Sequence, residues 1–151
     1  MSLEKKIVQI RSFNRFYTDV LGLVNNNLLD SEYSLAEARI LYEIFTARTV
    51  SASDIISKLS MDKGYLSRIL KKFERSGLII RKASKEDARV YLLSLTDQGK
   101  SVFDTLNHAS YQQISRLVSN MAEQQLDELV KYMHEITRLL QKANKHITGS
   151  H

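Results

Sequence analysis

A chain of 151 residues, 43% hydrophobic and 26% charged, has the size and composition of one globular domain able to bury its own core. The absence of cysteine excludes disulfide stapling, thiolate catalysis and thiol redox sensing, and the absence of proline leaves long helices uninterrupted. The net charge of +5 is uneven: Lys63 to Arg89 hold nine Lys or Arg against Glu74, Glu86 and Asp87, while the remaining 13 basic and 14 acidic residues nearly cancel.

No apolar run approaches the length of a membrane span, and the first residues lack the apolar core of a leader peptide, so a cytoplasmic protein without a membrane partner is expected. His108, His134, His146 and His151 are scattered without the spacing or acidic neighbours of a metal site, so no metal is expected. Neither G-x-G-x-x-G nor G-x-x-x-x-G-K-[ST] occurs, and no Ser/His/Asp order has supporting signals; no cofactor and no catalysis are expected. Gly149-Ser150-His151 can be read as a vector remnant and is set aside.

In chain order, Leu3, Ile7, Ile10, Phe13, Tyr17, Leu21, Val24 and Leu28 recur at steps of three and four, which predicts a helix over about 3–29, roughly 39 Å long. Asn25-Asn26-Asn27 and Asp30-Ser31 weaken its end. Ser34-Leu-Ala-Glu37 is a capping-box pattern and opens a second helix through Leu35, Ala38, Leu41, Tyr42 and Phe45. Thr49-Val50-Ser51 reads as a short extended piece. Ser51-Ala-Ser-Asp54 caps a short helix through Ile55, Ile56 and Leu59.

A further helix runs from near Asp62 to Ser76, where Gly77 supplies the left-handed stop. Its stripe Leu66, Ile69, Leu70 and Phe73 faces inward, which leaves Lys63, Tyr65, Ser67, Arg68, Lys71, Lys72 and Arg75 largely outward. Two short helices with the second basic on its free face form a helix-turn-helix. Leu78–Lys82 and Val90–Leu95 are β-type runs flanking Ala83 to Arg89, too long a connection for a plain hairpin loop, and so an extended wing. Thr96-Asp97 caps the next helix, carrying Val102, Leu106, Ile114, Leu117 and Val118. The last helix carries Leu126, Leu129, Val130, Met133, Ile136, Leu139, Leu140, Ala143 and Ile147 at a spacing near 3.5.

The expected fold is therefore mainly α with a small β-hairpin wing: one domain over 1–151, with a winged helix-turn-helix at about 34–96 flanked by long helices at about 3–29 and 97–147. A winged helix of some 60 residues cannot bury both flanking apolar faces. Ile7, Ile10, Phe13 and Tyr17, with Leu126, Leu129, Met133, Ile136 and Leu140, are thus expected to pack partly within the chain and partly in a homodimer.

With these elements in place, the chain resembles the MarR family of bacterial winged-helix regulators over nearly its whole length. The most specific segment is Asp87-Ala-Arg89-Val-Tyr-Leu-Leu-Ser-Leu-Thr96-Asp-Gln-Gly99, similar to the family's D-x-R wing and the L-T-x-x-G start of the following helix. Arg11–Tyr17, Ser34–Glu43 and Gly64–Leu70 also resemble the regulator half of proteins joining a MarR-type module to a GNAT-type acetyltransferase. The residues after the wing read as helix, so this sequence is either a stand-alone relative or a shortened chain.

The resemblance implies a homodimer on an inverted-repeat duplex, with the basic helix in the major groove. There Lys63, Gly64, Tyr65, Ser67 and Arg68 suit base edges or close backbone approach, and Lys71 and Lys72 suit phosphates. It places Arg89 in the minor groove. By their chemistry, Asp87 suits holding that guanidinium, Lys82 and Lys85 suit phosphates, and Ser51 and Ser53 suit presenting a helix N-terminus to a phosphate. It also implies a small-molecule effector, for which Arg15, Tyr17, Arg39, Tyr42 and Tyr111 are candidates, although aromatic residues on helices are more often core. The alternatives are an enzyme, a helical module whose basic stretch binds acidic protein or RNA, or the regulatory module of an acetyltransferase system.

Overall fold

The computed structural model describes residues 1–28 and 32–148, the side chains of 22–28 and 145–148 excepted. Asp30-Ser31 and Gly149-Ser150-His151 lie outside the described residues. The element order is α1 (Leu3–Leu28), α2 (Leu35–Ala47), β1 (Val50–Ser51), α3 (Ala52–Leu59), α4 (Lys63–Arg75), β2 (Ile79–Ala83), β3 (Tyr91–Leu95), α5 (Asp97–Leu117) and α6 (Glu123–Thr148). The backbone separates into two compact units, Met1–Gln113 and Ile114–His151. Among the described residues, no helix is long and apolar enough to cross a membrane.

Local hydrogen bonding sets most of the boundaries in the first unit. Ser34 Oγ accepts from the Glu37 N–H at 3.1 Å while Glu37 Oε1 accepts from the Ser34 N–H at 3.3 Å, the reciprocal capping box that starts α2. Ser51 Oγ caps α3 through the Asp54 N–H, and Asp62 Oδ2 caps α4 through the Tyr65 N–H at 2.9 Å. The turn between α3 and α4 has no glycine: Ser60 takes the left-handed conformation at φ 49°. At the end of α4, Gly77 has φ 75° and donates to Glu74 O, while Leu78 N–H reaches back to Phe73 O at 2.9 Å. These two bonds form a Schellman stop, and it turns the chain straight into β2.

The sheet has three antiparallel strands in the order β1-β3-β2, so the wing hairpin carries a third strand on its β3 side. Val50 pairs with Leu93 and Ser51 with Leu92; two residues hold no periodicity, and only this pairing makes Thr49-Val50-Ser51 a strand. The hairpin strands sit about one residue further along than their apolar runs suggest. Ser84 N–H donates to Val90 O at 2.7 Å and closes the loop just beyond the Ala83–Tyr91 pair.

The core joins Ile40, Leu41 and Ile44 of α2, Ile55 of α3, Leu66, Ile69, Leu70 and Phe73 of α4, Leu78, Ile79, Leu93 and Leu95 around the sheet, and Phe103 and Leu106 of α5. The α4 stripe is the one its periodicity predicts. In α2 the buried face is instead Ile40, Leu41 and Ile44, and Leu35, Tyr42 and Phe45 are exposed. This helix is apolar on two sides, and spacing alone does not say which one faces the core.

Two contacts lock the wing to α5. Thr96 Oγ1 accepts from the Gly99 N–H at 3.0 Å, capping the helix, and donates to Gly77 O at 2.6 Å. The Thr96 N–H meanwhile donates to Leu78 O at 3.0 Å, so the end of β3 is hydrogen-bonded to the turn that begins β2. Gly99 packs against that turn so closely that a Cβ there would collide with the Leu78 carbonyl. The L-T-x-x-G pattern thus has a physical meaning here: buried Leu95, bifunctional Thr96, and a position with room only for hydrogen at Gly99.

The long helices carry apolar side chains that the chain itself leaves in solvent. On α1, Ile7, Ile10 and Phe13 are exposed and Tyr17 is half-buried, with the Phe13 and Tyr17 rings stacked 5.6 Å apart. On α6, Met133, Ile136, Leu139 and Leu140 are exposed, and Leu126 and Leu129 are half-buried.

Candidate nucleic-acid interface

Helix α4 presents Lys63, Gly64, Tyr65, Arg68, Lys71 and Arg75 to solvent and Ser67 at its margin. The Arg68 guanidinium lies 5.9 Å from the Tyr65 ring centroid, a cation–π contact that aligns both side chains on the outer face. Arg68, Lys71, Lys72, Arg75 and Ser76 border a shallow groove of about 380 Å³ along the second half of the helix. Arg75 falls on the row formed with Arg68 and Lys71, at i+7 and i+4, which marks it as a member of the basic face on spacing alone.

The two neighbouring lysines, alike in sequence, have different partners. Lys71 has no ion pair among the described residues, whereas Lys72 Nζ donates to Glu37 Oε2 at 2.7 Å and lies 5.8 Å from the Tyr33 ring centroid. Tyr33 in turn packs its ring on Phe73, centroid to centroid 6.5 Å. Glu37 therefore serves twice, closing the α2 capping box with one oxygen and holding α4 with the other. Burial works to raise the Glu37 carboxyl, but the Lys72 ammonium and the Ser34 donors outweigh it and hold it below the ordinary glutamate value. The same hydrogen bond raises Lys72.

Because the folded-state value of Glu37 is depressed, its contribution is complete above the ordinary glutamate pKa and is lost as pH falls through the folded value. Lys72→Met, which keeps the stem and removes the charge, should cost roughly 1–2 kcal/mol at neutral pH. That loss should shrink as both proteins are denatured by urea at progressively more acidic pH. A pH-independent difference would contradict the tether.

Two further ion pairs fix the frame. Lys58 on α3 meets Glu43 on α2 at 3.0 Å, and Arg81 on β2 meets Glu74 on α4 at 3.1 Å, so the wing is fastened to the basic helix. Beyond it, Arg89 grips Asp87 bidentately: Nε donates to Oδ1 at 3.1 Å and Nη2 to Oδ2 at 3.2 Å, and the Arg89 backbone N–H adds a third bond at 3.0 Å. This guanidinium holds the Asp87 carboxyl below the usual aspartate value. The Arg89 side chain is nonetheless 90% exposed, a planar cation whose direction is set by a neighbour while its outer edge stays open. Lys82 and Lys85 are exposed on β2 and the loop. Ser51 is half-buried with its hydroxyl already used as the α3 cap, and Ser53 is exposed in the first turn of α3.

The aromatic and basic residues suggested for an effector do not converge. A crevice of about 900 Å³ opens between α2, β3 and α5, and of the five only Tyr42 lines it. Arg15 and Arg39 are exposed and Tyr17 half-buried elsewhere, and Tyr111 is 73% exposed. Phe103, which no apolar spacing singled out, stacks on Phe45 at 4.3 Å and forms the floor.

Residues 33–91 match the model of the MarR family. The winged helix is thus similar to the MarR family over that segment. Among curated relatives, the HTH-type transcriptional regulator MgrA of Staphylococcus aureus is 25% identical over 128 residues, spanning 83% of this chain and 80% of that protein. Among solved structures, a mutant of MarR from E. coli complexed with operator DNA superposes with a TM-score of 0.72 at 21% identity, covering 90% of this chain and 99% of that one. FabT of Streptococcus pneumoniae in complex with DNA superposes with a TM-score of 0.75 at 22% identity, covering 92% and 98%. The likeness in fold thus extends past the matched segment to the long helices.

Proposed function

We propose that the chain is a sequence-specific DNA-binding transcriptional regulator of the MarR type, acting in the cytoplasm as a homodimer on an inverted-repeat operator and without catalytic activity. The observation that carries this reading is the fixed fork of Arg89 on Asp87 at the wing, beside a helix that presents Lys63, Arg68, Lys71, Lys72 and Arg75 to solvent. A pre-aligned guanidinium suits the narrow minor groove, and the Lys63–Arg68 end of α4 suits base edges in the major groove. The relative and solved structures described above support it by their names: a transcriptional regulator and two complexes with DNA.

Dimerisation follows from the exposed apolar faces of α1 and α6, which a second copy would cover, and from symmetry. Two reading helices about 34 Å apart address two half-sites one turn of duplex apart. Sedimentation at micromolar concentration should show a dimer; a monomer would count against the reading. Release by a small-molecule effector is the remaining part of this reading.

Selection of bound sequences from a random duplex pool supplies the operator. On it, Arg89→Ala should weaken binding by at least about 1 kcal/mol with an unchanged melting curve. Unaltered titration curves would remove the wing from the interface. Likeness of Arg11–Tyr17, Ser34–Glu43 and Gly64–Leu70 to the regulator half of acetyltransferase fusions supports a second role as a regulatory module. Acetyl-coenzyme A binding by a longer native chain would test it.

A further inference from the structure

We infer that Tyr65 is a positioning residue whose ring holds the Arg68 guanidinium, and that the pair so formed reads one guanine in each half-site of the duplex. This deepens the DNA-binding reading above and rests on it. A long side chain on a helix leans toward the turn on its N-terminal side, so Arg68 reaches over positions 64 and 65. Gly64 has no side chain and leaves that path open, while Tyr65 flanks it, with the guanidinium carbon 5.9 Å from the ring centroid. The Tyr65 backbone is itself fixed, because its N–H donates to the Asp62 cap at 2.9 Å. Toward the C-terminus the same face carries Lys71 and Lys72, at i+3 and i+4, whose like charge disfavours a guanidinium folded back along the helix. Arg68 is thereby confined to the end of α4 that suits base edges.

What holds Arg68 decides what it can read. Arg81, Arg89 and Arg138 each spend guanidinium N–H groups on a carboxylate. Arg68 has neither an ion pair nor a side-chain hydrogen bond among the described residues, so the ring orients it without consuming a donor. A complete planar fork matches guanine, whose major-groove edge sets the acceptors N7 and O6 side by side; adenine puts its N6 donor where O6 would be and repels the same fork. A lysine, with one compact charge, cannot make this distinction by a bidentate grip. Arg89, whose fork is committed to Asp87, suits the potential of a narrow groove instead, so the two arginines divide the work by the kind of neighbour that holds each.

The test is selection from a random duplex pool with the full chain, run in parallel for wild type and Arg68→Lys. Wild type should fix a guanine in each half-site that Arg68→Lys no longer selects; the same consensus from both would overturn the inference. On the wild-type consensus, replacing that guanine by 7-deazaguanine, which lacks the N7 acceptor, should weaken wild type about tenfold or more and Arg68→Lys hardly at all. Equal losses would overturn it. The preference of guanine over adenine at that position should fall about threefold per half-site in Tyr65→Leu and persist in Tyr65→Phe, which keeps the ring. An unchanged preference in Tyr65→Leu, or an equal loss in Tyr65→Phe, would overturn the positioning role, the latter by assigning the contact to the Tyr65 hydroxyl. Tyr65 is exposed and leucine is a good helix former, so neither variant threatens the fold. The hold itself is read without a duplex: nitrogen relaxation of the Arg68 Nε–H in the free chain should show a more ordered side chain in wild type and Tyr65→Phe than in Tyr65→Leu, and equal order would overturn it. Failure of the wild-type chain to enrich any duplex would reject the DNA-binding reading and the guanine assignment with it, whereas a consensus indifferent to Arg68→Lys would overturn the assignment alone.

Discussion

Gly99→Ala should destabilise the protein by about 3 kcal/mol, the upper end of what overpacking usually costs. The added methyl would meet the Leu78 carbonyl oxygen and lie 3.0 Å from its carbon. Those are backbone atoms, and the same oxygen accepts the Thr96 N–H, so the obstacle cannot rotate aside as a side chain would. Relief would need α5 to lift from the turn at Gly77–Leu78, which breaks the Thr96 Oγ1 bond to Gly77 O and loosens Phe103 and Leu106 in the core. For a chain of this length the expected fall in melting temperature is roughly 10 °C.

Gly77 and Gly64 calibrate the result. Gly77→Ala places a side chain at φ 75° and should cost about 1 kcal/mol. Gly64→Ala meets only the flexible Asp62 carboxylate at 3.3 Å, in a helix where alanine is the better former, and should be near neutral. Melting curves that failed to rank Gly99→Ala below Gly77→Ala, and that below Gly64→Ala, would mean that α5 does not approach the wing this closely.

The same residues show what a sequence can and cannot disclose. The Ser34 capping box, the Ser51 cap, the α4 stripe and the Gly77 stop depend on partners within about five residues, and their signals are complete in the local pattern. Lys72 is different: its chemistry and spacing match those of Lys71, and only a carboxylate 35 positions earlier, Glu37, turns it from a phosphate candidate into a tether. The Asp62 cap of α4 has an ordinary local signature, an aspartate ahead of a helix, and was there to be read. The inward side of α2 was not legible, because Ile40, Leu41 and Ile44 compete with Leu35, Tyr42 and Phe45 for the same helix. The core of Ile55, Leu66, Leu70, Phe73 and Leu93 takes one side, while Phe103 packs on Tyr42 and Phe45 on the other, at the crevice floor. Long-range partners, not propensities, thus place the crevice and divide the basic residues of α4 into open and anchored ones.

That division sets the expected salt dependence of operator binding. In each copy Lys63, Arg68, Lys71, Arg75, Lys82 and Lys85 have no ion pair among the described residues, and Arg89 keeps its outer edge free although Asp87 holds it. With some of these addressing base edges in the proposed complex, about four phosphates per copy, or about 8 in the proposed dimer, would be neutralised. Log K should then fall with log salt at a slope near −7, and a fourfold rise in salt should weaken binding about 10⁴-fold. Lys71→Gln should make the slope shallower by about 2 units in the dimer, one released counterion from each copy, whereas Lys72→Gln should lower stability and leave the slope nearly unchanged because its charge is already spent on Glu37. Fluorescence anisotropy titrations across a salt series read both. A slope near zero would contradict groove binding. Equal slope changes from the two lysines would show that the Glu37 tether opens on the duplex and that Lys72 joins the interface after all.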